Sequence, residues 1–141
     1  MPSFKDIQDA HERIRPFIHR TSVLSNASLN KLSGAELFFK CENFQKAGSF
    51  KIRGATNTVL QLTQEELDRG IVTASSGNHG AALSMAVSNR GGNTTVVMPN
   101  NTPKMKVHNV ERNGGKVVWC EPVQESREKV LQELIDETGA V

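Results

Sequence analysis

One lysine stands between an aromatic and a β-branched residue in Gly48-Ser49-Phe50-Lys51-Ile52-Arg53-Gly54-Ala55, where a helical spacing begins. A charged amine is costly in apolar surroundings, so a lysine buried there sheds its proton and becomes a nucleophile. Schiff-base chemistry with an aldehyde needs that neutral amine. The plainer reading of any lone lysine is a solvated residue on a first helical turn. A second segment, Thr73-Ala74-Ser75-Ser76-Gly77-Asn78-His79-Gly80, joins a strand pattern to a helix pattern. Its glycines and Asn78 permit a tight turn. The free amides of the following helical turn then face one point, which suits a carboxylate or phosphate without a cationic side chain. Ser75, Ser76, Asn78 and His79 can add side-chain hydrogen bonds. A glycine turn and helix cap with no ligand would have the same sequence.

The elements that must position these segments follow from periodicity. Phe4, Ile7, His11, Ile14 and Ile18 recur at threes and fours and predict one helix capped by Ser3, with Pro16 disturbing its last turn. Residues 37–41 read as a strand after the turn signal Ser33-Gly34. Ile52, Ala55, Val59 and Leu62 share one face of a helix, and Thr63-Gln64-Glu65-Glu66 is a capping box opening the next helical turn. From Gly70 onward the rhythm is βαβαβα: strands at 71–74, 95–98 and 117–120, and a helix over 78–89. A second helix opens at Pro103 and is ended by Gly114; a third carries Val130, Leu131, Leu134 and Ile135 and is ended by Gly139. That rhythm predicts an α/β fold, a parallel sheet flanked by helices, with strands buried on both faces. A boundary near Gly70 divides the chain into residues 1–69, with one clear strand, and 70–141. The run Thr138-Gly139-Ala140-Val141 stands where another strand would begin, so the expectation is the N-terminal part of a larger protein.

Composition narrows the class without naming a function. Of 141 residues, 17 Lys and Arg against 15 Asp and Glu leave a net charge of +2, too balanced for a dedicated nucleic-acid binder. No apolar run approaches the ~20 residues of a membrane span, and the N-terminus lacks a signal-peptide core. Two cysteines, Cys41 and Cys120, form neither a C-x-x-C pair nor a disulfide framework, which suits a reducing cytoplasm. Both read as buried small hydrophobes at strand ends, and Trp119 as core or interface packing. His11, His19 and His108 lack metal-ligand spacing and read as structural or solvent-facing. Lys104 and Lys106 read as a solvated helix face.

Residues 38–55, FFKCENFQKAGSFKIRGA, and residues 75–80, SSGNHG, together resemble the two signatures of serine racemases and serine/threonine dehydratases. These are fold-type-II pyridoxal-phosphate (PLP) enzymes of the tryptophan-synthase-β-like group. The likeness extends through His11, Thr21, Val23-Leu24, Met98-Pro99 and Cys120-Glu121-Pro122. By that resemblance Lys51 holds the Schiff-base position and Phe50 lines the cofactor. Asn78 bonds the phenolic oxygen of the pyridine ring. Ser75, Gly77, Asn78 and His79 hold the substrate carboxylate, and Ser76 faces the lysine across the cofactor. The implied activity is racemisation of serine and/or β-elimination of L-serine or L-threonine to a keto acid and ammonia. A threonine-preferring dehydratase is the runner-up. A non-catalytic fragment acting by protein contact is the reading from another class.

The resemblance also sets expectations for what surrounds the site. Residues 1–69 would be the N-terminal part of a large PLP domain, and 70–141 a small α/β domain without its last strand. The family's phosphate-cradling glycine loop, the partner of the pyridine nitrogen and the carboxylates for a divalent cation (Mg, Mn or Ca) lie beyond residue 141. The chain alone is therefore expected to be inactive and to hold no metal, with a homodimer implied at full length. Gly91-Gly92 and Gly114-Gly115 read as turns and do not replace the glycine loop. Of the family's ATP-binding positions Lys46 fits, but Asn26, Ala27 and Ala47 stand where hydroxyl residues are usual, which weakens the expectation of ATP activation.

Overall fold

Residues 1–141 are described by a computed structural model. Helix α1 (Phe4–Ile14) starts at a capping box, with Ser3 and Asp6 each bonding the other's backbone amide. It stops four residues short of the predicted stripe, and Arg15–Phe17 forms a 3-10 turn around Pro16. Proline has no amide to continue the helical ladder and disfavours helical backbone at the residue before it. Of the stripe only Ile14 is buried; Phe4 and Ile7 are exposed.

Strand β1 (Val23–Leu24) pairs antiparallel with β2 (Phe39–Lys40), so the strand expected at 37–41 is reduced to two residues and has an unforeseen partner. Between them runs α2 (Ala27–Ser33), which the apolar pattern does not disclose. Asn26 caps it by accepting from the Leu29 amide, and Gly34 closes it in left-handed backbone at φ 68°. Helix α3 (Lys51–Val59) and the short α4 (Gln64–Arg69), opened by the Thr63–Glu66 capping box, complete the first part.

Strands β3 (Ile71–Ala74), β4 (Thr94–Pro99) and β5 (Gly115–Cys120) form a parallel sheet in that order. Their crossovers are α5 (Asn78–Ser88) and α6 (Lys104–Glu111), and α7 (Gln124–Thr138) lies across all three strands. Burial on both faces holds only for β4, the central strand. β5 is an edge with alternating exposure, so Trp119 is half exposed instead of being core. Cys120 is buried at its end and Cys41 is half-buried. No helix is long and apolar enough to cross a membrane.

The main core crosses Gly70. Ile52, Ala55 and Val59 of α3 and Leu67 of α4 pack with Ile71, Ala82, Leu83, Ala86 and Val87. Burying an aliphatic side chain of this size contributes about 1.5–3 kcal/mol, so α3 is held chiefly by α5. Arg90, just past α5, strengthens the join by donating to the Val59 and Leu62 carbonyls at 2.5 and 2.9 Å.

One further pairing bears on function. The Val141 amide donates to the Gly70 carbonyl at 3.0 Å, and the Val72 amide donates to the Val141 carbonyl at 2.8 Å. The chain thus returns from β5 through α7 to the free side of β3. At β3 the direction of strand progression reverses, and the carboxyl end of a strand at such a switch is where α/β sheets bind ligands. The segment that leaves that end is Ser75-Ser76-Gly77.

Candidate active site

Helix α3 presents Lys51 because the preceding chain is locked from three directions. Glu42 accepts a two-pronged ion pair from Arg53, with Nε at 2.8 Å and Nη2 at 2.7 Å, and a hydrogen bond from the Thr21 hydroxyl at 2.6 Å. The Arg53 guanidinium, with Thr21, holds the Glu42 carboxyl at a pKa of about 2, against the penalty of burial. The same pair raises Arg53 above its ordinary value. Gln45, 4% exposed, accepts from the His19 and Lys46 amides and donates to the His19 carbonyl. Ala47 and Gly48 then take left-handed backbone, φ 57° and 73°, and turn the chain into Ser49 and Phe50.

Lys51 itself is exposed, contrary to the buried lysine that its neighbours suggest. Alternate residues of a helix's first turn face different ways: Ile52 goes into the core while Lys51 and Phe50 face outward. The Lys51 Nζ lies 5.3 Å from the centroid of the Phe50 ring. Both line the mouth of a cavity of about 690 Å3, whose walls also include Gly54, Ala55, Thr73 and His79. A Cβ built at Gly54 would meet no atom within 4 Å and would project into open space.

The turn from β3 to α5 is built from backbone. The Ser75 hydroxyl accepts from the Gly77 amide at 3.3 Å and the Gly80 amide at 3.2 Å, which caps α5 from five residues upstream. Gly80 lies in close approach: a Cβ there would sit 3.0 Å from Val96 Cγ1 and 3.3 Å from the Ser75 carbonyl, so these neighbours would have to give way by a few tenths of an ångström. The amides of Ser76, Asn78 and His79 are left without an acceptor in the chain. An eleven-residue helix adds its dipole to that point. Burial, and then the Lys51 charge, hold the His79 imidazole below its ordinary pKa, so it faces Lys51 as a neutral ring near pH 7.

Of the sequence-derived site residues, the structure therefore brings Phe50, Lys51 and His79 to one cavity. Ser75, Ser76, Gly77 and Asn78 do not line it; they form the turn and first helical residue immediately before His79. Sequence reasoning missed Glu42, Arg53, Gln45 and Thr21, whose work is done by contacts between distant segments. It also missed Ser49, whose hydroxyl is buried beside Phe50 with no partner.

The family model for "Pyridoxal-phosphate dependent enzyme" matches residues 14–141. The chain belongs to this family. A serine racemase of Arabidopsis thaliana is 53% identical to it over 135 residues, 96% of this chain and 41% of that protein. A β-hydroxyaspartate dehydratase of Paracoccus denitrificans is 48% identical over 139 residues, 99% of this chain and 44% of that protein. The solved structure of maize serine racemase superposes with a TM-score of 0.95 at 47% identity, covering 99% of this chain and 42% of that one. The solved threonine deaminase of T.th. superposes with a TM-score of 0.89 at 37% identity, covering 99% and 44%. The chain thus spans about two-fifths of the length of these PLP-family relatives.

The residues present fit the family's cofactor in part. An amine, an aromatic wall and the side-chain-free gap at Gly54 meet at one cavity, of a size that holds small cofactors, roughly 300–1,000 Å3. No cluster of three His, Cys, Asp or Glu side chains able to hold a metal ion is present.

Proposed function

We propose that this chain carries the lysine-bearing half-site of an enzyme that racemises serine and eliminates water from L-serine or L-threonine, giving a keto acid and ammonia. The reading is carried by Lys51, Phe50 and His79 lining one cavity beside unpaired amides at the start of α5. Bound pyridoxal phosphate supplies an electron sink that makes the substrate's Cα proton acidic. Lys51 would hold the cofactor through its Nζ, and its free amine would take the substrate's Cα proton on its own face. Phe50 would pack beside the cofactor ring. Asn78 would supply a hydrogen bond to the ring's phenolic oxygen. The amides of Ser76, Asn78 and His79, with the Ser75 hydroxyl and the turn at Gly77, hold the substrate carboxylate. A neutral His79 contributes a hydrogen bond there without adding charge. Ser76 returns a proton on the opposite face, which inverts the centre. Departure of the β-hydroxyl after the same proton abstraction would lead instead to elimination, and the relative barriers would set the ratio.

In this reading residues 1–69 are part of a large cofactor domain and 70–141 a small α/β domain. A divalent cation, a homodimer and a reducing cytoplasm complete it for the longer protein, and the partial match of the ATP-binding positions argues against ATP activation. The resemblance of Phe38–Ala55 and Ser75–Gly80 supports these assignments. Ser76→Ala in the enzyme tests the two-face assignment. Racemisation of L-serine should fall by at least tenfold more than pyruvate formation, because elimination from the L-isomer needs a base only on the lysine face. An equal loss of both activities would remove Ser76 from that role.

A further inference from the structure

A second hollow, of about 530 Å3, lies on the other side of Arg53 from the Lys51 cavity, with Arg53 lining both. Six of its seven lining residues are basic: His11, Arg15, His19, Arg20, Lys40 and Arg53; the seventh is Ile18. No acid lines it, in a chain whose cations exceed its acids by only two. This concentration is a property of the fold, not of the composition. Only two of the six have carboxylate partners: Arg53 on Glu42, and Arg15 on the exposed Glu12 at 3.4 Å. Arg20 and the His11 ring make no hydrogen bond within the chain, and Lys40 donates its ammonium to the Thr21 carbonyl at 2.6 Å.

The walls are built. Gln45 pins the His19 backbone through both its amide and its carbonyl, and Lys40 and Glu42 tie Thr21 from two sides. The 3-10 turn at Pro16 brings the end of α1 against the same segment. Arg20 and Lys40 are the two cations of this concavity without a carboxylate partner, and their field draws in an anion of matching size. Guanidinium groups match the spaced oxygens of a phosphoryl group better than they match a halide.

We propose that this hollow binds the phosphoryl group of a phosphorylated small molecule. It is separate from the Lys51 cavity, which Arg20, Lys40 and His11 do not line, and does not depend on the function assigned there. It is also separate from Lys46, Asn26, Ala27 and Ala47, none of which lines it.

Calorimetric titration of the full chain with inorganic phosphate, pyrophosphate and a nucleoside monophosphate, at one fixed ionic strength, tests it. The expected result is one saturable site per chain, tightest for the ligand whose body fills the hollow. Arg20→Ala and His11→Ala should each weaken binding, Arg20→Ala by at least tenfold, and Lys104→Ala should leave it unchanged. Neither Arg20 nor His11 holds another part of the chain by its side chain, and the melting temperature of each variant checks folding. A ligand-induced rise in melting temperature that Arg20→Ala abolishes is the second expected readout. Absence of saturable binding for all three ligands, or equal affinity in Arg20→Ala and Lys104→Ala, would overturn the proposal.

Discussion

The segment that leads into Lys51 and the turn that leads into His79 reach the same cavity by different physical means. The first is held by side chains far apart in sequence: Glu42 on Arg53, Thr21 on Glu42, and Gln45 on His19. The second is held by its own backbone, with one serine hydroxyl capping two amides and one glycine allowing α5 to touch β4. A charge-held segment responds to pH and to loss of a partner. A backbone-held turn is indifferent to pH but has little room for an added methyl group. The amine that changes partners during the proposed reaction sits on the adjustable side, and the amides that hold a fixed carboxylate sit on the rigid side.

The largest effect should come from the rigid side. Gly80→Ala places a Cβ against Val96 and the Ser75 carbonyl, and overpacking of this kind costs about 1–3 kcal/mol. Thermal unfolding should show the loss at pH 5 and pH 8 alike. A melting temperature unchanged from wild type would mean that α5 can move away from β4, and the contrast would weaken.

On the adjustable side, Glu42→Gln keeps the shape and one acceptor oxygen but strips Arg53 of its counter-charge, a loss of about 0.5–1.5 kcal/mol for a part-exposed pair. The Glu42 carboxyl titrates near 2 when folded, below its ordinary 4.5. Its stabilisation is therefore complete above the ordinary value and is lost as pH falls from about 4.5 towards about 2. Acid unfolding of Glu42→Gln should show a flatter decline across that window than the wild-type chain. Identical acid profiles for the two proteins would show that the pair is not what holds α3.

The smallest effect belongs to Ala47, whose φ of 57° is left-handed. A side chain there costs about 1–2 kcal/mol, while glycine gives back roughly 0.5–1 kcal/mol through the unfolded chain. Ala47→Gly should raise stability by no more than about 1.5 kcal/mol on these terms. A clear drop in melting temperature would mean that the Ala47 methyl packs usefully against the core it borders.

The sequence discloses the backbone-held region better than the charge-held one, for a physical reason. Turn chemistry and helix caps are local, so the β3–α5 turn, the Ser3 cap, the Thr63–Glu66 capping box and the stop at Gly139 are legible from neighbouring residues. The alternation after Gly70 is equally legible because each strand and helix carries its own period. Glu42 and Arg53 are ordinary polar residues until the fold brings the 3-10 turn Glu42–Phe44 within reach of α3. The exposure of Lys51 is not legible because, of its two apolar neighbours, Ile52 turns into the core while Phe50 faces outward with it. Helix α2 gives no signal because none of its residues is buried, so it has no apolar stripe to betray it.

The central claim is that Lys51 is the amine that captures the cofactor. Limiting pyridoxal phosphate, borohydride reduction and peptide mass spectrometry test it directly, with every lysine of the chain as a competitor. The account predicts the reduced pyridoxyl group on Lys51 ahead of all others, and loss of that selective labelling in Lys51→Ala. Label spread evenly over exposed lysines such as Lys104 and Lys106, with Lys51 no more reactive than they are, would contradict it.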